Sequence, residues 1–312
     1  MHKGMFTQGF AILLEQQVAI DDLISCVEGY TVPRTSEAGE HWELSGPSFL
    51  VEYRPDVNGY VSVDVVGRKW PDHMGDPKGE PMLFAAWGMG QFGPFAYPNA
   101  LERACQQSWR WNGAEEAVAR HTAFSRIRLS YAFGTPDDAP IMPQDCDAWH
   151  ELSFLTTLTQ ALLEHPAAIC YFNPNGEVVL PADQLAHSMT FHAENSLPAL
   201  DLWCNVRLFK LSDEWSVMDS VGNAQLDIPD HEVAFPTGAF DPQEVDRFIR
   251  NASLYILQNG MIINEGDTMD GPGDIRWQGK SFENGLSSPP RQVLRWLPTG
   301  IEGIPDAMLE DS

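Results

Sequence analysis

Positive charge is scarce in this 312-residue sequence: 19 lysines and arginines stand against 44 aspartates and glutamates, a formal net charge of −25. The excess is spread evenly, −14 over residues 1–200 and −11 over 201–312. It is therefore a property of the whole surface and not of an acidic tail. Such a field repels nucleic acid and anionic lipid and attracts basic partners. Cysteine is sparse too. Cys26, Cys105, Cys146, Cys170 and Cys204 are odd in number and form no Cys-x-x-Cys pair, and apolar neighbours around Cys170 and Cys204 point to buried free thiols in a reducing compartment. No run reaches the roughly 18 apolar residues that a membrane helix needs. The first apolar stretch, "FTQGFAILLE", has no small-residue cleavage site and reads as a strand, not a signal peptide. A cytoplasmic protein that uses neither membrane nor nucleic acid is expected.

Motifs of chemistry are equally thin. The glycines of residues 71–98 do not follow a strand with Gly-x-Gly-x-x-Gly spacing, and no Gly-x-Ser-x-Gly or Walker loop occurs. His187 and His192 are five residues apart, where a zinc pair on one helix face needs four. "INEGDTMDGPGD" (263–274) gathers Glu265, Asp267, Asp270 and Asp274 around glycines but departs from calcium-loop spacing and lacks the closing glutamate. No metal, no cofactor and no catalytic residue is expected.

What is present is a folding pattern. With 43% hydrophobic and 11% aromatic residues, the chain can bury a substantial core. A strand at 6–15, a helix with Ile20, Leu23, Ile24 and Val27 on one face, and two alternating strands turned at residues 56–59 make a βαββ unit. A Pro/Gly-rich stretch follows at 71–98, then a helix over 99–121 and a strand over 125–133. After the acidic loop 135–147 comes a helix over 148–164 stopped by Pro166, then a hairpin across 173–176. This second run repeats the βαββ order. A helix at 181–193, a strong hairpin at 201–221, a helix from Asp241-Pro242 to Gly260 and three short strands complete the chain. The fold class is α+β: mixed, mostly antiparallel sheets, helices packed on one face, and two related βαββ units. The second βαββ run spans 125–180. The expected domains are residues 1–98, with the Pro/Gly-rich loop, and 99–300, which also read as one continuous domain; 301–312 is a frayed acidic tail.

"WRWNGAEEAVARH" (109–121) concentrates aromatic, acidic and basic side chains. On one helix, Trp111, Ala114, Ala117, Val118 and His121 share a face, Glu116 pairs with Arg120, and Glu116 points about 140° from His121. The two cannot share a substrate atom, so His121 is read as a packing residue. His150-Glu151 reads as a solvated helix face.

"AWGMGQFGPF…WRWNGAEEAVARHTAFSRIRLSY" and "SLYILQNGMIINEGDTM" together resemble a bacterial family known as domain of unknown function four-two-six-one, over most of residues 5–297. The family has no assigned reaction, and the resemblance carries over no catalytic residue. It implies kinship with cytoplasmic immunity proteins that neutralise interbacterial toxins of type VI secretion systems. The expected function is then direct binding of a cognate toxin with a basic, nuclease-like domain. Phe84, Trp87, Phe92, Phe95 and Tyr97 either supply aromatic anchors or fold from their loop onto the core, and acidic contacts would come from Asp267, Asp270 and Asp274. Two rivals remain open: an enzyme using His121, Glu116 or the Asp267–Asp274 loop, and a structural scaffold.

Overall fold

The computed structural model describes residues 3–136 and 141–309, and the chain divides into two compact units, Met1–Trp203 and Cys204–Ser312. The first contains β1 (Gln8–Leu14), α1 (Ile20–Cys26), β2 (Arg34–Ser36), β3 (Ser48–Arg54), β4 (Gly59–Val66), α2 (Pro81–Gly88), α3 (Ala100–Gln106) and α4 (Ala114–Ala119). It continues through β5 (Ala123–Ser130), α5 (Ala148–Leu162), β6 (Ala168–Asn173), β7 (Val178–Leu180), α6 (Ala182–Asn195) and α7 (Leu200–Trp203). Its seven strands form one antiparallel sheet in the order β2-β3-β4-β5-β1-β6-β7. The fold class is α+β, as the alternation of strand and helix periods implies. The boundary expected after residue 98 gives way to one after Trp203, because β5 is hydrogen-bonded between β4 and β1.

The element order βαββ does recur, but the strand directions differ. β3 runs antiparallel to β1, whereas β6 runs parallel to β5, both being antiparallel to β1. The two runs are therefore not superimposable copies.

Side chains alternate across a strand, so the register assigns each to a face. Phe10, Ile12, Phe49, Val51, Val61, Val63, Ile127 and Leu129 share one face, fully buried. Helix α5 packs against β1 and β5 there, presenting Leu152, Leu155, Leu158 and Leu162 at helical spacing. The opposite face carries Ala11, Leu13, Val66, Phe124, Cys170 and Phe172, which pack with α2, α3 and α4. Helices thus cover both faces of this sheet, where one was expected. The reason is legible afterwards: the aromatic residues of the 71–98 stretch fold inward and need a second layer.

The helix expected over 99–121 is two short helices, α3 and α4, separated by residues 107–113. Asn112-Gly113 is a turn dipeptide that interrupts the pattern. Trp111 precedes α4 and is only partly buried, while Trp109 is 62% exposed.

The second unit contains β8 (Asn205–Lys210), β9 (Trp215–Val221), β10 (Asp230–Pro236), α8 (Pro242–Asn259), β11 (Thr268–Asp270), β12 (Arg276–Phe282) and β13 (Val293–Pro298). The sheet order is β11-β12-β13-β10-β9-β8, antiparallel except for the β10–β13 pair. Helix α8 begins as its sequence dictates: the Asp241 side chain accepts from the Gln243 N–H and Pro242 stands in the first turn. Its buried residues Val245, Phe248, Ile249, Ala252 and Ile256 follow the helical period, and Phe248 meets Trp277 and Trp296 of the sheet. Trp215, Val217, Ala234, Leu297 and Met308 form a further core cluster. The acidic end Glu310-Asp311-Ser312 and part of the 135–147 loop lie outside the described residues.

Candidate functional site

The structure separates the residues expected to bind a toxin. Trp87, Phe92 and Phe95 are buried, Tyr97 is half-buried, and Phe84 is 40% exposed. Trp70 stands at the centre of the aromatic cluster, with Trp87, Phe92, Phe124 and Phe172 edge-on around it. The stretch is a core element, so Trp87, Phe92 and Phe95 are not surface anchors. Asp267, Asp270 and Asp274 do lie exposed. Asp267 closes a turn by accepting from the Asn264 N–H (2.7 Å), and Asp270 pairs with Arg276 (3.2 Å) across the β11–β12 hairpin.

His121 is a packing residue. Its Nε2 accepts from the Trp70 backbone N–H (3.0 Å) while Nδ1 meets the Val118 carbonyl. These bonds fix the neutral tautomer with the proton on Nδ1, and burial holds its pKa below the ordinary value. Glu116 is exposed, and Arg120 reaches Glu15 (3.8 Å). His192 does not join His187; it pairs with Asp201 (2.6 Å), which also holds Ser188 and Arg110. Burial opposes the Asp201 charge, but these partners outweigh it and lower its pKa. Glu151 is fully buried and not on a solvated face; it accepts from Tyr131 (2.9 Å) and Gln8 (3.1 Å). Among the described residues no group of three or more histidine, cysteine, aspartate or glutamate side chains is placed to hold a metal.

Charge is instead concentrated inside both sheets. In the first unit Asp64 of β4 lies directly opposite Arg126 of β5. Arg126 donates Nε to Asp64 Oδ1 (3.0 Å) and Nη2 to Oδ2 (2.5 Å), a forked pairing that planar guanidinium favours. The segment 42–46 crosses over this pair. The carbonyls of Glu43 and Trp42 accept from Arg126 (2.6 and 3.1 Å), and the Gly46 N–H donates to Asp64 (2.8 Å). Gly46 is required there, since a Cβ would sit 2.0 Å from the Val65 carbonyl oxygen. Arg128, two residues along the same strand face, reaches Asp64 at 3.3 Å. Burial opposes ionisation of Asp64, but both guanidiniums outweigh it and lower its pKa.

The second unit builds a longer row. Arg207, Asp219, Glu232 and Arg295 stand side by side on β8, β9, β10 and β13, all buried. Arg207 forks onto Asp219 (2.9 and 2.6 Å), Arg295 donates to Glu232 (2.9 Å), and Arg291 bridges Asp219 and Asp230. Three carboxylates meet three guanidiniums. Such groups require pairing to be buried at all.

Residues 219–297, about a quarter of the chain and wholly within the second unit, match a family model described as a domain of unknown function (DUF4261). The match begins at Asp219 and takes in Asp230, Glu232, Arg291 and Arg295. Trp87 and the 109–121 stretch lie outside it. No curated protein and no solved structure matches the chain.

Proposed function

We propose that the protein is a cytoplasmic immunity protein that neutralises a cognate antibacterial toxin of a type VI secretion system by direct binding, the toxin carrying a basic, nuclease-like domain. The observation that carries this reading is the placement of charge. Among the described residues five arginines and six carboxylates are buried, and the other 14 basic side chains stand against 34 acidic ones. The buried set is nearly neutral, so the negative excess is carried by side chains outside it. Acidic side chains so displayed attract a nuclease's phosphate-binding face and can occupy it. In size and acidity the chain is similar to the immunity protein TsiT.

The contact is placed on the second unit at residues 261–274. Met261 and Ile262 are 57% and 49% exposed and adjoin Glu265, Asp267, Asp270 and Asp274. An apolar anchor rimmed by acids is the arrangement that excludes water at a charged interface. The test is co-purification with the product of the neighbouring gene, then association kinetics across ionic strength. The Debye length falls from about 30 Å at 0.01 M to about 8 Å at 0.15 M, so the on-rate should fall by about tenfold or more while the off-rate changes little. Glu265→Lys with Asp270→Lys should slow association; Asp21→Lys with Asp22→Lys, exposed on α1, should not. Failure to form any complex would remove the proposal.

A further inference from the structure

On one face of the first sheet two buried guanidiniums, Arg126 and Arg128, share the carboxylate of Asp64, and Arg128 borders a cavity. The charges acting on Arg128 are those of Asp64 and Arg126, and Asp64 is already forked onto Arg126. Arg128 is 3% exposed. Its Nη1 is bonded to the side-chain oxygen of Gln91, a neutral acceptor, its guanidinium lies 4.6 Å from the centre of the Phe6 ring, and its Nε–H has no acceptor. Burial and Arg126 push its pKa down to about 9, with Asp64 opposing. Glu151, the buried carboxylate bonded to Gln8, belongs to the opposite face of the sheet. The second unit, by contrast, matches its three buried arginines with three carboxylates.

Arg128 lines a cavity of about 590 Å³ bounded by the outer end of this sheet face, the start of the chain and the 44–48 segment. That volume suits a small organic molecule. The cross-strand row Arg34, Leu50, Ser62 and Arg128 forms its floor. Ser48 and Ser62 also line it, and no hydrogen bond engages their hydroxyls among the described residues. The remaining wall is mixed: Met5, Phe6, Leu44 and Phe133 supply apolar surface, and Ser36, Ser45, Tyr60 and Gln91 polar groups. A cation that shares its counter-ion with Arg126, free hydroxyls and a partly apolar wall around one space are complementary to an amphipathic monoanion.

We propose that this cavity binds a small organic carboxylate, whose charge is neutralised by Arg128 and whose apolar body lies against Phe6, Leu50 and Phe133. The carboxylate takes the place of the Gln91 side-chain oxygen as acceptor, exchanging a neutral hydrogen bond for a charge-assisted one. Phosphate, with no apolar body, would leave the Phe6, Leu50 and Phe133 surface uncovered. The inference is independent of the toxin-binding proposal.

The experiment uses the full chain and four probes: benzoate, octanoate, and the uncharged benzamide and octanamide, with inorganic phosphate as a fifth arm. Thermal unfolding and titration calorimetry are read for wild type, Arg128→Met and Ser62→Leu. At least one carboxylate should raise the unfolding midpoint, and its amide should not. Arg128→Met should weaken carboxylate binding tenfold or more while the ligand-free midpoint stays equal or rises, because Asp64 keeps its forked partner Arg126 and a buried guanidinium that only shares that carboxylate leaves the interior. Ser62→Leu, which fills the floor and keeps Arg128, should also abolish the response. Equal responses to acid and amide, no response to either carboxylate, an undiminished response in Arg128→Met, or a phosphate response matching the carboxylate's would each overturn the assignment. Should Arg128→Met fail to fold, Ser62→Leu decides: a lost carboxylate response sustains the proposal and a retained one ends it.

Discussion

Asp230 and His231 are consecutive, both fully withdrawn from water, and titrate in opposing senses. Burial raises the Asp230 pKa from 3.8 to about 6, with Arg291, the Asn223 N–H and Ser220 opposing. Burial lowers the His231 pKa from 6.5 to about 3; its Nδ1 accepts from the Trp296 indole (3.2 Å) and its Nε2 has no partner. Between pH 4 and 6 the unfolded chain has released the Asp230 proton while the folded chain keeps it, so this group lowers stability as pH rises. Between pH 6.5 and 3 the unfolded chain takes up a proton that folded His231 refuses, so that group lowers stability as pH falls. At about 1.4 kcal/mol per pH unit, Asp230 contributes about 3 kcal/mol across its window and His231 about 4–5 kcal/mol across its own. Between pH 4 and 6 the two slopes cancel. Removing either exposes the other: Asp230→Asn should lose about 3 kcal/mol more than wild type on going from pH 6 to 4, and His231→Gln should gain about as much. Urea denaturation of the full chain at pH 4, 5, 6 and 7 measures this, with hydrogen exchange on β9, β10 and β13 amides as a readout confined to the second unit. Titrating groups remote from this pair are common to the three proteins and drop out of the differences. Variant-minus-wild-type curves that are flat with pH would refute the reasoning.

The sequence made the helices α5 and α8 and the strands β1, β4, β9 and β13 readable, because each keeps one period and has an apolar face. It hid β10. Asp230-His231-Glu232 looks like a surface turn, yet all three are buried, held by partners from β9 and β13 and from the 285–291 segment that no local pattern reveals. The interior ion pairs were hidden for the same reason. Arg126 and Arg128 alternate with Ile127 and Leu129, which reads as a strand with one wet face, and only the register shows that face to be covered. One signal was available: Asp64 in "VSVDVV" and Asp219 in "SVMDSV" are single acids amid apolar strand residues, and an isolated acid there needs an arginine on the next strand. The aromatic run 84–97 was open to two readings, surface anchors or core, since proline and glycine mark it as loop; Trp87, Phe92 and Phe95 fill a core layer, while Phe84 is exposed and Tyr97 half-buried. The acidic segment 267–274 was placed at the surface correctly, because its turn chemistry is local.

His121→Ala should destabilise the first unit by about 1–3 kcal/mol, since it strands the Trp70 N–H inside and removes the Nδ1 bond to the Val118 carbonyl; full stability by urea denaturation would contradict its packing role. Gly46→Ala should do more. The added Cβ meets the Val65 carbonyl oxygen at 2.0 Å and its carbon at 2.9 Å, backbone atoms of β4 that cannot rotate away, so segment 42–46 must lift. Overpacking alone is worth about 1–3 kcal/mol. Lifting also removes the Gly46 N–H from Asp64 and the Trp42 and Glu43 carbonyls from Arg126, leaving a buried pair short of three hydrogen bonds. A total loss of about 3 kcal/mol or more is expected. Gly29→Ala, where a Cβ meets nothing within 4 Å, is the matched control and should be near neutral. Equal unfolding midpoints for the two variants would show that the segment gives way freely, and that the Asp64–Arg126 pair does not depend on the strap that crosses it.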